Sequence, residues 1–262
     1  MRRIMGREYN RLVFEETLAL IDSDPELSSS VLRSKEGQMF VPCYEVLRTP
    51  KDRGFRISIS VTGERSFQAA ERLEGKVCVL NFASPTHPGG GVANGSSAQE
   101  ESLCRISTLY RCLRTEETES LFYEPHKRIP GHLYDPDIIY TPDVKVFRKD
   151  DDRMDILPKD GWYSVDVITC AAPNLNRAPM DEREQYDAMR ERAERILSVA
   201  AEKGAESLVL GAFGCGVFGN DPKIVAKAFR DALENCSGSF REIVFAIYGK
   251  ESNLDAFRDV FL

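Results

Sequence analysis

Val77-Cys78-Val79-Leu80-Asn81-Phe82-Ala83-Ser84-Pro85-Thr86-His87-Pro88-Gly89-Gly90-Gly91-Val92-Ala93-Asn94-Gly95-Ser96-Ser97-Ala98-Gln99-Glu100-Glu101 is the stretch that decides the fold. Its opening apolar run, residues 77–80, suits a strand buried on both faces, as in a parallel sheet with helices above and below. Three consecutive glycines then let the backbone approach a ligand with no Cβ in the way. The loop runs into a helix start, where unpaired N–H groups favour anionic oxygens. Alone, a glycine run fits an ordinary surface loop equally well.

Working outward, strands and helices alternate. Ile57, Ile59 and Val61 alternate with serines, the pattern of a half-buried strand. Phe67, Ala70 and Leu73 mark a short helix closed by Gly75. Residues 98–113 form a helix with Leu103, Ile106, Tyr110 and Leu113 on one side. A loop-rich region, 114–161, holds a short strand at 144–147. Residues 165–170, 207–210 and 243–247 are strands, 181–203 and 222–235 are helices, and a short helix ends the chain. Asp221 as N-cap and Pro222 at N1 start the second of those helices. At the other end, residues 1–21 make an amphipathic helix with Leu12, Phe14, Leu18 and Leu20 as apolar positions. Asp22, Ser23, Asp24 and Pro25 break it, and 27–55 show no clear period. The alternation predicts an α/β layered fold with a mostly parallel sheet, whose ligands bind at the carboxyl ends of strands.

The carboxylates in the opening stretch differ in what explains them. Ser97-Ala98-Gln99-Glu100 matches a capping box, with Ser97 as N-cap and Glu100 at N3. Glu101 has no such role, although a solvated glutamate is common in a first helical turn. A second loop, Gly211-Ala212-Phe213-Gly214-Cys215-Gly216-Val217-Phe218-Gly219-Asn220-Asp221-Pro222, again links a buried strand to a capped helix and suits a diphosphate cradle. It is no Walker A loop, since no Gly-Lys-Ser/Thr follows. Phe213, next to the strand, is expected to plug the core. Cys215 has no nearby histidine in sequence to make it a nucleophile. A third loop, 170–175, would supply a pocket wall.

The chain carries 35 Lys and Arg against 42 Asp and Glu, a formal net charge of −7, with no dense basic block. It is therefore not expected to coat duplex nucleic acid. A polyphosphate ligand would be held locally, by backbone N–H groups. The seven cysteines fall without Cys-x-x-Cys pairs, which predicts free thiols and a reducing cytoplasm. No apolar run reaches the roughly 20 residues of a membrane span, and no signal-peptide core is present. His87, His126 and His132 show no zinc-site spacing, so neither a metal nor any cofactor is expected.

Together these segments resemble the bacterial-type poly(ADP-ribose) glycohydrolases of the macrodomain superfamily. That family is marked by Gly-Gly-Gly, a seven-residue spacer and Gln-Glu-Glu. Here Gly89-Gly90-Gly91, residues 92–98 and Gln99-Glu100-Glu101 fit it, as do residues 80–84, 140–148 and 211–222. The likeness runs over about residues 57–248. It implies a three-layer α/β/α macrodomain-like sandwich over 56–262, with 1–55 as a helical extension packed on it. It implies Glu101 as catalytic acid and Glu100 as the glutamate that positions the ribose hydroxyls. The implied ADP-ribose contacts are Phe82, Ala83, Ser84, Gly89, Gly90, Gly91, Val92, Asn94, Gln99, Gly214, Cys215, Gly216, Val217 and Phe218. Ser84 departs from animal relatives, which carry an asparagine there. The implied substrate is poly(ADP-ribose) or ADP-ribosylated protein, and a monomer is expected.

Cleavage of a ribose–ribose O-glycosidic bond passes through an oxocarbenium-like state. One carboxylic acid would protonate the leaving 2′-oxygen and then, as carboxylate, activate water. A helix N-terminus favours the carboxylate, so desolvation and a bound diphosphate must favour the acid. The acidic net charge suits cutting at a chain end. The alternatives are a non-catalytic ADP-ribose reader, a hydrolase of mono-ADP-ribosyl linkages and a metal-dependent ADP-ribosyl hydrolase. A clustered Asp/His set is not visible in the sequence for the last of these.

Overall fold

A computed structural model of the chain describes residues 6–129 and 134–262. His132 and the first five residues lie outside them. The strands are β1 Met39–Val41, β2 Ser58–Thr62, β3 Val77–Phe82, β4 Ile138–Val146, β5 Tyr163–Cys170, β6 Ser207–Leu210 and β7 Glu242–Ala246. The helices are α1 Arg7–Ser23, α2 Pro25–Glu36, α3 Ser66–Glu71, α4 Gln99–Ile106, α5 Leu109–Leu113, α6 Glu116–Thr118, α7 Glu124–Arg128, α8 Glu182–Glu202, α9 Pro222–Leu233 and α10 Glu251–Phe261. A π-helical turn, Glu119–Tyr123, joins α6 to α7.

The strands form one sheet in the order β1-β4-β5-β3-β6-β7-β2. From β5 to β2 all neighbours are parallel, and β4 runs antiparallel to both β1 and β5. Alternate residues of β3 serve two cores. Cys78 and Leu80 join Ile196, Phe229 and Phe245 on the face under α8, α9 and α10. Val77 and Val79 join Phe14, Phe67, Leu103 and Leu109 on the other. This is the expected α/β/α sandwich, because a sheet apolar on both faces needs a helical layer on each.

Several elements differ from the expectation. Asp24 ends α1 but also starts α2, accepting from Glu26 N at 2.9 Å and Leu27 N at 3.3 Å, with Pro25 at N1. The buried face of α1 is Val13, Phe14, Thr17 and Ile21. Leu12 is 43% exposed. Residues 39–41 add β1, one of the two edge strands, to the sheet. The single helix expected over 98–113 breaks at Ser107, which bridges to Val146. Strand β4 is longer than the expected 144–147. Pro142 and the left-handed Asp143 (φ 52°) make a bulge there that hides its period.

Candidate active site

The loops after β2, β3, β5, β6 and β7 leave the same edge of the sheet and surround a cleft of about 1020 Å³. That is the size and place expected for a nucleotide-sized ligand in a parallel sheet. Residues from all five of these loops, together with α1 and the 150–155 loop, line it.

Helix α4 enters the cleft with no side-chain cap. Its N-cap is Ala98, and the capping box expected at Ser97 and Glu100 does not form. Glu100, which would have closed that box, is turned elsewhere, as is Gln99 beside it. Gln99 secures the end of β3, accepting from Phe82 N at 2.9 Å and donating to Leu80 O at 2.7 Å and Ser66 Oγ at 3.1 Å. Glu100 Oε2 accepts from Ser84 N at 2.6 Å, and Oε1 accepts from Asn81 Nδ2 at 3.3 Å. Glu101 Oε1 accepts from Gly91 N at 2.9 Å. Its second oxygen, Oε2, is buried and has no partner.

The glycine run lies against these carboxyls. Gly90 is left-handed (φ 57°), and a Cβ there would sit 2.5 Å from Glu101 Oε1 and 3.1 Å from Glu100 Oε2. Only glycine fits both conformation and space. At its far end the loop is held by buried Arg105, which donates to Ser96 O at 3.0 and 2.8 Å from one turn beyond Glu101.

Burial pushes the Glu100 carboxyl up to about 8. The charge of Glu101 adds to the rise, against the opposing bonds from Ser84 and Asn81. A carboxyl that holds its proton more tightly folded than unfolded stabilises the fold most below its ordinary value of 4.5. That contribution is lost as pH rises through about 8. The isosteric variant Glu100→Gln lacks the titration. In the ligand-free protein its melting temperature, measured relative to wild type, should climb by at least about 3 °C between pH 5 and pH 8.5. Parallel melting curves across that range would exclude the assignment.

On the opposite wall, the loop over 211–221 is braced by Asn220, whose Nδ2 donates to Pro173 O at 2.9 Å and Gly214 O at 3.1 Å. Gly214, Gly216, Val217 and Phe218 face the cleft, and Asp221 caps α9 as expected. Phe213 plugs the core, packing at 5.6 Å on Phe82. Phe218 lies 6.5 Å from the ring of Tyr134.

Phe82, Ala83, Ser84, Gln99, Glu100 and Glu101 also line the cleft, while Gly89, Gly90 and Gly91 lie behind the glutamates. Val92 and Cys215 turn their side chains into the cores, and exposed Asn94 is not part of the lining. Their main-chain N–H groups are engaged within the loops, Val92 N donating to Gly89 O at 3.2 Å and Cys215 N to Ala212 O at 3.1 Å. Burial pushes the Cys215 thiol up to about 12, the opposite of an activated nucleophile. The loop over 170–175 supplies Ala172 to the wall.

The other end of the cleft escaped the sequence reading. Glu64 and Arg65 follow β2, and Tyr248 follows β7. The Arg65 guanidinium stacks 4.3 Å above the exposed Tyr248 ring, forming a flat platform that suits an aromatic base. Tyr9 and Asn10 of α1 close the flank. The Tyr9 hydroxyl donates to Arg153 O, and Asn10 Nδ2 donates to Gly95 O at 3.0 Å.

The microbial-type PARG catalytic domain matches residues 20–149. A sequence search of curated proteins finds no match. Solved structures are close. The poly(ADP-ribose) glycohydrolase of Thermomonospora curvata is 34% identical, with a TM-score of 0.88 over 97% of this chain and 100% of that one. Its complex with the inhibitor ADP-HPD gives 32% identity and a TM-score of 0.83 over 97% and 99% of the two chains. The Deinococcus radiodurans enzyme in complex with ADP-ribose is 36% identical, with a TM-score of 0.78 over 87% and 96%. Likeness over the whole length of the first of these, in a chain whose glycine run, glutamate pair and second loop meet at one cleft, shows that this chain belongs to the bacterial-type poly(ADP-ribose) glycohydrolases.

Proposed function

We propose that the chain hydrolyses the ribose–ribose O-glycosidic bonds of poly(ADP-ribose), releasing ADP-ribose from the chain end. Glu101 acts as general acid and then as general base. The observation that carries this role is the unequal state of the two glutamates. Both oxygens of Glu100 are engaged, whereas Glu101 Oε2 is buried, unpartnered and beside the cleft. A proton-transfer group needs a free oxygen held in place by its other one.

In the first step Glu101 gives its proton to the 2′-oxygen of the leaving ribose. The C1″–O bond breaks, and its electron pair goes to that oxygen. The resulting oxocarbenium ion is attacked by water, whose proton passes to the Glu101 carboxylate, restoring the acid. Glu100 positions the sugar from its fixed place against Ser84 and Asn81. The N–H groups around Gly214 and Gly216 serve the diphosphate. Phe218 and Tyr134 back the ribose, and Arg65, Tyr248 and Glu64 receive the adenine.

Cutting at the chain end is supported by the cleft's volume, which suits a single unit, and by the acidic net charge of −7. A monomer is supported because one chain builds the entire cleft. Among the described residues no helix is long and apolar enough to cross a membrane. All seven cysteines are unpaired, which supports a reducing cytoplasm.

Polymer of defined length, labelled at one end, tests the reading. ADP-ribose should be the first product, with the labelled chain shortening one unit at a time. Early release of oligomers would overturn cutting at the chain end. The polymer should also be consumed faster than mono-ADP-ribosylated protein, and the reverse order would reassign the substrate.

A further inference from the structure

Outside the cleft, one side-chain cluster has no part in this chemistry. His126 of α7 is 1% exposed, and neither ring nitrogen has a hydrogen-bond partner of good geometry. The main-chain oxygens of Phe122 and Asp135 lie near the ring without meeting hydrogen-bond geometry, and a buried imidazole so poorly satisfied calls for a water or an ion. Its Nε2 lies 3.6 Å from Asp137 Oδ2. A carboxylate oxygen of Asp135 completes a set whose ligand atoms all fall within 4.8 Å of one another.

We propose that His126, Asp135 and Asp137 form a structural zinc site. The 3.6 Å separation is too long for a hydrogen bond. It is close to the edge of a tetrahedron around zinc, about 3.4 Å when metal–ligand bonds are about 2.0–2.1 Å. Asp137 is already fixed by its other oxygen, which accepts from Cys43 N at 2.6 Å. Asp135 is exposed, with its carboxylate already within 4.8 Å of the other two ligand atoms. The fourth position falls to water or to the Cys43 thiol, which lies within reach of the same Asp137 carboxylate. An imidazole among the ligands selects zinc over magnesium, which demands an octahedron of oxygens.

Two cationic side chains of α8 also face the cluster. Arg195 directs its guanidinium at the carbonyls of Pro136, Cys43, Glu45 and Pro42. Arg192 donates to Ala171 O at 2.8 Å, to Ala188 O at 2.9 Å and to Tyr134 O. These bonds shape the chain around the carboxylates without replacing a metal between them.

The ion would tie α7 to the segment leading into β4. That segment carries Tyr134 in a strained left-handed conformation (φ 31°), its ring between His126 at 5.9 Å and Phe218 at 6.5 Å. The site thus braces the aromatic wall of the cleft from behind. None of its three ligands lines the cleft, so the metal takes no part in bond cleavage.

The test uses the full chain, stripped with chelator and then given one equivalent of zinc. Wild type should retain one zinc per chain through gel filtration, measured by elemental analysis, and should melt at a higher temperature with zinc than without. Cobalt in its place should give the strong visible absorption of a tetrahedral ion. Asp135→Asn changes only an exposed carboxylate and should fold normally, with zinc affinity lowered at least about tenfold. His126→Phe should retain none. A wild-type chain that keeps no zinc, or equal affinity in wild type and Asp135→Asn, would overturn the assignment. So would equal stabilisation by magnesium.

Discussion

Glu101→Gln is expected to bind ADP-ribose within a few-fold of wild type while losing at least about a hundredfold in turnover, the usual scale for removing an acid–base group. The amide keeps the shape of the carboxyl and an oxygen for the Gly91 N–H, which donates at 2.9 Å. What it removes is the oxygen that would transfer the proton, replacing the buried, unpartnered Oε2 with an amide nitrogen. The diphosphate cradle and the platform of Arg65 and Tyr248 are untouched, so binding should survive. Calorimetry with ADP-ribose beside polymer turnover separates the two effects. Turnover close to wild type would remove Glu101 as the acid. A matching loss of binding would mean that it holds the ligand rather than moves a proton.

Gly90→Ala should have a second large effect, by a different route. The added methyl would lie 2.5 Å from Glu101 Oε1 and 3.1 Å from Glu100 Oε2, at a residue with φ of 57°. Forcing an L-residue into that region costs about 1–2 kcal/mol, and the remaining conflict falls on the catalytic carboxyls. A displacement of about 1 Å at a reacting group can cost about a hundredfold in rate. We therefore expect kcat to fall by about that factor, with the far-ultraviolet circular dichroism unchanged and the melting temperature lowered by a few degrees. An alanine variant with normal kcat would show that the glycine loop does not set the position of Glu101.

The strands of the parallel core were legible because each is a short apolar run between turn residues. Helices α8 and α9 were legible from their caps and period. Helix α2 was not, because Ser28, Ser29, Ser30 and Ser34 blur its apolar face, although Asp24 and Pro25 are an ordinary helix start. The capping box failed for a reason tied to function. Ser97 and Glu100 match its spacing, but the Glu100 carboxyl serves the loop at Ser84, as Gln99 beside it serves the end of β3. Local satisfaction of α4 yields there to the site. The pair of glutamates and both glycine loops could be read in order along the chain. The Arg65–Tyr248 platform could not, since 183 residues separate its members and only the parallel arrangement of β2 and β7 brings them together. The His126 cluster was hidden likewise, its ligands lying nine and two residues apart in no metal-site spacing.

The most direct measurement is turnover of poly(ADP-ribose) by the wild-type chain at a small fraction of the substrate concentration, with products sized over time. The structure predicts ADP-ribose in many-fold excess over the protein, with the polymer consumed. A polymer left intact by a chain that nonetheless binds ADP-ribose would contradict it, and would make this cleft a reader rather than a hydrolase.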